Sequence, residues 1–579
     1  MSAGHLDYVR AVAEAWPAAQ AVWSPSTRLH APTVHGAPDE PEAGAHTDVP
    51  GSALAWLDLS TMSVHINTRV MADNGLGTRD CLAVLAHEVG HHVLAPADRT
   101  TAARVALRVR RALIDRDPLV PYVSNLWLDL VINDELAHRR DIDVTRVLAP
   151  DGPVEETNTV FATYLRCLEL LGRRPAGSLV EPGQAAESEA RIMSRVARVY
   201  SKRLVKGAEG FAALIRPLLP PPDTAVTWLT CHGVVGEHRL PDGLVGDASL
   251  VAPVLHPVLD PEVMGTAAEH SCEAVKAPEP VESTGQSGDG QRFEPADLHA
   301  VVTALGIGVD KPAVTAHYYR ELAAPHLVPF EDPRPHRYRE TIPGASETWE
   351  LGEDLADIDW AATVLASPLV VPGVTTRKRV QEEDRGGEPE HVPLDLDLYL
   401  DSSGSMPNPA HVLSPVAVAG TILALSALRA GGRVQATTWS GRQQIASTDG
   451  FTRDTDAVMA AIVSSFRGAT CFPLPLLERT HLGPRTGHED QRRCHIAVVS
   501  DTGVVSMMDD VEDATGSPGV AERALEAAGG GGTLLLNCGE KALARLRLPA
   551  GYETVLVTTM DDVISRSREL SRRVWRRNR

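Results

Sequence analysis

Apolar residues recur with helical spacing through the first part of the chain. The segments DCLAVLAHEVGHHVL and NTVFATYLRCLELLG place apolar side chains three and four positions apart, which is the period of an amphipathic helix. Consecutive prolines in LIRPLLPPPDTAVTW then interrupt this pattern. We therefore predict a mostly α-helical N-terminal domain over residues 1–217.

The pattern changes in the next part of the chain. The stretch APEPVESTGQSGDGQRFEP is rich in Pro, Ser, Gly and acidic residues, a composition typical of a flexible linker. We assign residues 218–298 to a connecting region that includes this linker. The segment that follows, with VTALGIGVDKPAVTAHYYRELAAPHLVPF, is predicted to be helical over residues 299–390.

From about His391 onward, short apolar runs alternate with helical patterns. The runs DLDLYLD, GRVQATTW, HIAVVSD, TLLLNC and YETVLVTT have the length and composition of strands. Helical segments such as SPVAVAGTILALSALRAG separate them. This alternation favours a doubly wound, Rossmann-like α/β domain with a largely parallel sheet over residues 391–579.

Composition narrows the class of protein. A chain of 579 residues is too long for a single core, so several domains are expected. The formal net charge of −21 disfavours direct binding of nucleic acid, because the phosphate backbone would be repelled.

No apolar run is long enough to span a bilayer, and no secretion signal is recognised. The seven scattered cysteines contain no CxxC pair, which is typical of a reducing compartment. We predict a cytoplasmic protein that does not bind membranes.

The first candidate site is the motif LAHEVGHH. His87 and His91 are one helical turn apart, so their imidazoles can bind one Zn²⁺, and Glu88 can reach a metal-bound water. His92 points about 100° away from His91 and is set aside. An apolar stripe is predicted on the other side of the helix, formed by Leu82, Leu85, Ala86, Val89 and Val93.

A catalytic zinc needs a third protein ligand. In SNLWLDLVINDELAHRRD, Asn125, Asp129 and Asn133 recur every four residues on a helix that is apolar nearly all round. A carboxylate on such a buried helix must be paired or bound to metal. Asp129 is therefore the predicted third ligand, oriented by Asn125 or Asn133, although an internal hydrogen bond or an arginine would also satisfy it. Glu135 and His138 remain alternative ligands.

The second candidate site lies in LYLDSSGSM. Asp401, Ser403 and Ser405 follow an apolar strand, and ligands of open α/β sheets collect at the carboxyl ends of strands. Carboxylate and hydroxyl oxygens are hard ligands suited to Mg²⁺ or Mn²⁺. Thr470 and Asp501 come later, in a loop and after another strand. A simple helix cap is the alternative for the DxSxS motif alone.

These five residues resemble, motif by motif, the metal-ion-dependent adhesion site of von Willebrand factor A (VWA) domains. The resemblance implies that Ser403, Ser405 and Thr470 bind Mg²⁺, Mn²⁺ or Ca²⁺ directly, while Asp401 and Asp501 hold the ion or its water. It also implies that a carboxylate from a protein partner or substrate completes the coordination. The loop reads GAT where GGT is frequent in the family, a change that keeps the hydroxyl.

The whole chain resembles a bacterial architecture that joins a metallopeptidase-like domain to a VWA domain. HEVGHH, NLWLDLVIND, YYRELA and TTRKRV followed by DLDLYLDSSGSM carry this resemblance. It implies a zincin-like fold for the N-terminal domain. It also implies association with a MoxR-type AAA+ ATPase, including those of bacterial defence systems.

The sequence leaves three functional hypotheses. The first is a zinc-dependent endopeptidase in which Glu88 acts as general base and later as proton donor, and the VWA domain recruits a partner or substrate. The second is a non-catalytic adaptor that couples a MoxR-type ATPase to clients, with a structural or degenerate zinc site. The third is a chelatase-like or chaperone-like remodelling subunit.

Overall fold

The chain forms two compact units. The computed structural model describes residues 3–36, 53–58, 61–149, 159–220, 240–264, 292–329, 341–383, 393–483, 492–508 and 519–575. Unit 1 comprises Met1–Pro325 and Pro407–Ser414, and unit 2 comprises His326–Met406 and Pro415–Arg579. The prediction of a multidomain chain is confirmed in this form. Among the described helices, none combines the length and apolarity needed to cross a membrane.

Unit 1 is mostly helical and carries a small sheet. Its described helices are α1 (Ala3–Trp23), α2 (Thr68–Asp73), α3 (Cys81–Val93), α4 (Arg99–Leu113), α5 (Val120–Arg139), α6 (Thr145–Leu148), α7 (Thr159–Leu171), α8 (Glu187–Tyr200), α9 (Leu204–Ile215), α10 (Pro261–Met264), α11 (Pro295–Ala304) and α12 (Lys311–Ala323). Its strands are β1 (Thr33–His35), β2 (Ala55–Asp58) and β3 (Ser63–Asn67). The sheet has the order β1-β3-β2, with β1 parallel and β2 antiparallel to β3.

Helix α3 is covered on two sides, by α1 and by α5. The three helices are closest at Gly90, where a Cβ atom would lie 2.7 Å from both Trp23 in α1 and Ile132 in α5. The predicted single apolar stripe is wrong at its ends, because Leu82 is only half-buried and Val93 is exposed. The helix is instead buried around most of its circumference, including the side that carries the histidines.

Helix α5 runs through the interior of unit 1. It contacts α3, α4, α7, α8 and α9. The side chain of Trp127 is fully buried; its ring packs against Phe211, and its indole N–H donates to the Leu204 carbonyl at 3.0 Å. The apolar circumference of this helix explains its central position, since a helix that is apolar all round must be buried. The polar residues that it carries inward therefore need partners.

The predicted connecting region, residues 218–298, belongs in its described parts to unit 1 rather than to a separate segment. The guanidinium of Arg108 in α4 donates to the carbonyls of Leu250 and Ala252, at 3.1 and 2.6 Å. These hydrogen bonds join residues more than 140 positions apart. Local sequence patterns do not reveal such bonds. Two parts of the region lie outside the described residues: 221–239 and 265–291.

The predicted helical middle segment, residues 299–390, contains strands as well as helices. After α12, strands β4 (Thr341–Thr348) and β5 (Arg377–Glu383) form an antiparallel two-stranded sheet, joined through the short helix α13 (Trp360–Ala366). Glu347 pairs in register with Lys378 across the two strands. Opposite charges facing each other stabilise a strand pair, and a search for helical periodicity does not detect them. We call residues 341–383 the hairpin subdomain.

The remainder of unit 2 is built around a six-stranded mixed sheet. Its strands are β6 (Asp395–Asp401), β7 (Val434–Trp439), β8 (Ile445–Ser447), β9 (Cys494–Ser500), β10 (Gly529–Leu536) and β11 (Glu553–Leu556). Its described helices are α14 (Pro415–Arg429), α15 (Thr455–Ile462), α16 (Leu474–Leu482), α17 (Val520–Ala528), α18 (Glu540–Leu543) and α19 (Met560–Trp575). The sheet order is β11-β10-β9-β6-β7-β8, and only β8 is antiparallel to its neighbour.

This strand order places a topological switch point between β6 and β9. Numbered from β6, the order is 6-5-4-1-2-3, which is the doubly wound order of Rossmann-like sheets. Successive residues of β6 face opposite layers: Leu400 lies beside Gly420 of α14, and the Tyr399 ring packs against Phe472 at 4.9 Å between centroids. Tyr399 also shares a buried core with Leu474 of α16 and Ala521 of α17, so helices cover both faces. The carboxyl ends of β6 and β9 meet at the switch point.

Candidate metal sites

The first cluster joins α3 to α5. His87 and His91 of α3 direct their Nε2 atoms at Asp129 of α5, with Nε2–Oδ1 distances of 3.4 and 3.3 Å. All three side chains are buried, and their ligand atoms lie within 4.8 Å of one another. The structure thus brings together the two histidines of the motif and the carboxylate that the sequence pointed to.

Hydrogen bonds fix which nitrogen of each imidazole faces Asp129. His91 Nδ1 lies 2.8 Å from the Ala95 carbonyl oxygen, which can only accept, so Nδ1 carries the proton. His87 Nδ1 lies 2.8 Å from the Asn133 amide oxygen, and the Asn133 amide nitrogen donates to the Tyr164 hydroxyl at 3.0 Å. In the neutral form, each ring therefore presents a lone pair on Nε2, as a metal ligand requires.

Asp129 is oriented by its neighbour one turn earlier on α5. The Asn125 amide donates to Asp129 Oδ2 at 3.0 Å. The other oxygen, Oδ1, faces the two imidazoles. Asn125 thus orients the carboxylate, whereas Asn133 orients His87, so the two asparagines that the sequence offered as alternatives have separate partners.

The cluster offers three ligand atoms to a cation. Within the described residues, Oδ1 of Asp129 and Nε2 of both histidines are buried without a hydrogen bond. Burial lowers the pKa of His87, but Asp129, together with Glu88 and Asn133, outweighs burial and raises it to about 9. A proton satisfies only part of this arrangement. A divalent ion would have all three atoms as ligands, and two imidazole nitrogens with one carboxylate oxygen are a ligand set that Zn²⁺ takes in catalytic sites.

Glu88 lies next to this cluster. It is fully buried, and its negative charge contributes to the raised pKa of His87. The alternative ligands Glu135 and His138 lie elsewhere. Glu135 is 3.4 Å from both Arg139 and Arg140, and His138 Nδ1 is 2.9 Å from Asp134.

The second cluster lies at the carboxyl ends of β6 and β9 in unit 2. The Ser403 backbone N–H donates to Asp401 Oδ1 at 2.8 Å, which shapes the loop after β6. The hydroxyl oxygens of Ser403 and Ser405 are 3.2 Å apart, and the Ser405 hydroxyl donates to Asp501 Oδ2 at 2.7 Å. The DxSxS loop and the end of β9 therefore share one site.

Gly503 shows that Thr470 belongs to the same site. A Cβ atom on Gly503 would lie 2.4 Å from the Thr470 methyl group, 3.1 Å from Asp501 Oδ1 and 3.3 Å from Asp401 Oδ2. The Gly503 backbone N–H also donates to Asp501 Oδ1 at 2.7 Å. All five residues predicted for this site thus converge, and a glycine is required where they meet.

The second cluster is rich in oxygen ligands and partly open to solvent. Burial raises the pKa of Asp401, and the nearby charge of Asp501 adds to this effect. A bound cation would relieve both penalties. Ser405 and Thr470 are exposed, so a ligand from another molecule can reach them. Hydroxyl and carboxylate oxygens at a switch point fit Mg²⁺, Mn²⁺ or Ca²⁺.

Several residues that support these sites are not among the predicted site residues. Ser500 donates its hydroxyl to Asp401 Oδ2 at 2.6 Å, and its position just before Asp501 was an available signal. Gly503, in the segment DTG, was another. Tyr164 and the Ala95 carbonyl carry no such signal, because only the packing of α7 and the turn after α3 bring them to the cluster.

The chain matches no protein-family model and no curated protein sequence. Among solved structures, it is similar to a von Willebrand factor type A protein from Catenulispora acidiphila, with 13% sequence identity and a TM-score of 0.22. That match covers 31% of this chain and 42% of the other.

Proposed function

We propose that the protein is a zinc-dependent endopeptidase whose unit 2 recruits a partner or substrate through a divalent cation. One observation carries the proposal: His87 Nε2, His91 Nε2 and Asp129 Oδ1 converge in a buried cluster beside Glu88. A site with only a structural role has no evident use for a carboxylate next to its histidines.

The residues of the cluster divide the chemistry between them. Zn²⁺ bound by His87, His91 and Asp129 would supply Lewis acidity toward the scissile carbonyl and the attacking water. Glu88 would accept a proton from the attacking water and return it to the leaving amine. Asn133 would keep the lone pair of His87 directed at the site, as the Ala95 carbonyl would for His91.

Unit 2 would provide recruitment. Ser405 and Thr470 are exposed beside Asp401 and Asp501, so a carboxylate from another protein can reach a cation held there. The resemblance to VWA proteins that work with MoxR-type AAA+ ATPases makes such an ATPase our proposed partner. The same resemblance leads us to propose a bacterial ATPase-linked or defence system as the setting.

The experiment that tests catalysis compares the wild type with Glu88→Gln. Both proteins should hold equal zinc, because Glu88 is not a ligand, but only the wild type should cleave denatured casein or its own chain. Glu135→Gln is the matched control, since it removes a carboxylate outside the cluster. Equal cleavage, or none by either protein with the candidate ATPase present, would contradict the proposal.

Cation binding by unit 2, on which the proposed recruitment depends, is tested with Mn²⁺ as a spectroscopic probe. Asp401→Ala should abolish the Mn²⁺ electron paramagnetic resonance signal of unit 2, because it removes the buried carboxylate, while zinc content stays at the wild-type level. Retention of Mn²⁺ by the variant would contradict the assignment of this cluster as a cation site.

A second candidate function is an adaptor with a structural zinc site. The observation that favours it is the burial of the three residues of the first cluster and of Glu88 beside them, which leaves little surface for a peptide. Under this alternative, Glu88→Gln leaves every activity unchanged, whereas Asp401→Ala still abolishes partner binding.

A further inference from the structure

Exposed apolar side chains are concentrated in the hairpin subdomain. Of the nineteen large apolar side chains that are exposed in the described part of the chain, nine lie within residues 351–374. They are Leu351, Leu355, Trp360, Val364, Leu365, Leu369, Val370, Val371 and Val374. Soluble proteins usually scatter such residues singly, and a concentration of them marks a surface that contacts another molecule.

These side chains project from a folded framework. The Thr376 hydroxyl donates to the Trp349 carbonyl at 3.2 Å, and the Arg377 backbone N–H donates to the Thr363 hydroxyl at 2.8 Å. Leu351 lies against the turn at Gly373, where a Cβ atom would come within 3.3 Å of its side chain. The turn after β4, helix α13 and the loop before β5 are thus held together, so their exposed residues form part of a defined surface.

Helix α13 shows which residues the framework turns outward. Thr363 is buried, whereas Trp360 is 57% exposed, Val364 60% and Leu365 89%. Trp360 and Val364 are one turn apart and therefore neighbours on the helix surface. An exposed tryptophan among aliphatic side chains is the composition of an interface anchor.

The charge around the exposed apolar residues indicates which kind of molecule can bind this surface. Residues 346–376 contain six carboxylates and no Lys or Arg, and of the six carboxylates Glu353 is paired with Lys378 in the following strand. Glu350, Asp354 and Asp357 are exposed among the apolar side chains. A second copy of this chain would bring the same negative charge to the contact, and an anionic membrane surface would be repelled as well.

We propose that the hairpin subdomain docks a protein partner whose contact surface is an apolar helix face or groove flanked by lysine and arginine. The apolar side chains of residues 351–374 supply the buried centre of the contact. The carboxylates around them select a basic rim and reject acidic surfaces.

The test uses a synthetic amphipathic helix with leucines on one face and flanking lysines, and a matched peptide with glutamates in place of the lysines. Among the tryptophans that the structure describes, only Trp360 is exposed, so acrylamide quenching of tryptophan fluorescence reports on this surface. The basic peptide should protect the exposed tryptophan from quenching. Trp360→Phe, which keeps an apolar ring, should remove the signal.

Paired variants distinguish binding at this surface from nonspecific hydrophobic binding elsewhere on the protein. Val364→Ser with Leu365→Ser should weaken binding of the basic peptide by about tenfold or more, the loss expected when interface anchors are truncated. Leu259→Ser, which alters a residue of unit 1 that is 70% exposed, is the matched control and should bind as the wild type does. Glu350→Gln with Asp357→Asn should weaken binding severalfold and reduce its salt dependence.

Three outcomes would overturn the proposal. The first is equal binding of the basic and acidic peptides, or binding that the Val364 and Leu365 variants do not change. The second is concentration-dependent self-association in sedimentation that those variants abolish, which would assign the surface to a second copy. The third is binding to vesicles of anionic phospholipid that depends on the same residues.

Discussion

The two candidate metal sites differ in donor atoms and in exposure. The cluster of unit 1 offers two imidazole nitrogens and one carboxylate oxygen, all buried. The cluster of unit 2 offers hydroxyl and carboxylate oxygens, and two of its residues are exposed. Nitrogen donors favour Zn²⁺, and oxygen donors favour Mg²⁺ and similar hard ions. We infer that the first site is built to retain its metal for chemistry, and the second to share its metal with another molecule.

The largest expected effect is on the site with nitrogen donors. His91→Ala removes one of three ligands and should weaken zinc binding by more than about 100-fold, because loss of a supporting residue alone costs about 10–100-fold. Competition with a fluorescent zinc chelator measures this change. Mn²⁺ binding at unit 2 should be unaffected, and a loss of both metals would show that the two sites are not independent.

The pH dependence of metal affinity should also differ between the two sites. His87, with its pKa raised to about 9, is protonated below that pH when no metal is bound, so zinc must displace a proton. Zinc affinity should therefore rise about tenfold per pH unit from pH 7 to 9. The cluster of unit 2 contains no imidazole, and its Mn²⁺ affinity should change far less over this interval. Zinc affinity that is flat with pH would contradict the assigned protonation.

The asparagines of α5 provide a finer test of the first site. Asn133→Ala removes the acceptor of the His87 Nδ1 proton and should weaken zinc binding by about 10–100-fold. Asn125→Ala removes a bond to Asp129 Oδ2, the oxygen that faces away from the imidazoles, and should have a smaller effect. Isothermal titration of the metal-free proteins with zinc gives both values. The reverse ranking would show that the orientation of Asp129, and not that of His87, limits binding.

A smaller effect is expected at the second site. Gly503→Ala places a methyl group against Thr470 and the two aspartates, and should weaken Mn²⁺ binding severalfold. Gly404→Ala is the matched control, because its Cβ would lie 3.6 Å or more from its nearest neighbours. Electron paramagnetic resonance titration distinguishes the two variants. Equal affinities would mean that the Thr470 loop does not contribute to the site.

The sequence predicts those residues of the first site whose positions depend on a single helix, and it does not predict those that depend on the packing of several helices. The spacing of His87, Glu88 and His91 is set within one helix, and the burial of Asp129 follows from the apolar circumference of α5. The pairing of Asn133 with His87 depends on how α5 packs against α3, which no single segment reveals. The contact of Tyr164 with Asn133 depends on the packing of a third helix, α7, and the sequence does not predict it either.

The fold likewise has features that follow from local sequence patterns and features that depend on contacts between distant residues. The alternation of strands and helices after residue 391 predicted the mixed sheet of unit 2. The run TLLLNC was predicted as a strand, and the observed strand β10 begins earlier, at the run of four glycines, and spans Gly529–Leu536. A Cβ atom on Gly530 would lie 2.3 Å from the Cys494 carbonyl oxygen, so glycine permits the close approach of β9. Bonds such as those of Arg108 to Leu250 and Ala252 join distant parts of the chain, and no local pattern around residue 217 predicts them.

The central claim is that His87, His91 and Asp129 hold a zinc ion ready for chemistry. Zinc-edge X-ray absorption of the purified protein tests it most directly. We predict one zinc per chain, bound by two imidazole nitrogens at about 2.0–2.1 Å and by oxygen ligands at about 2.0–2.2 Å. A protein without zinc, a shell that contains sulfur, or a shell with fewer than two imidazoles would contradict the account.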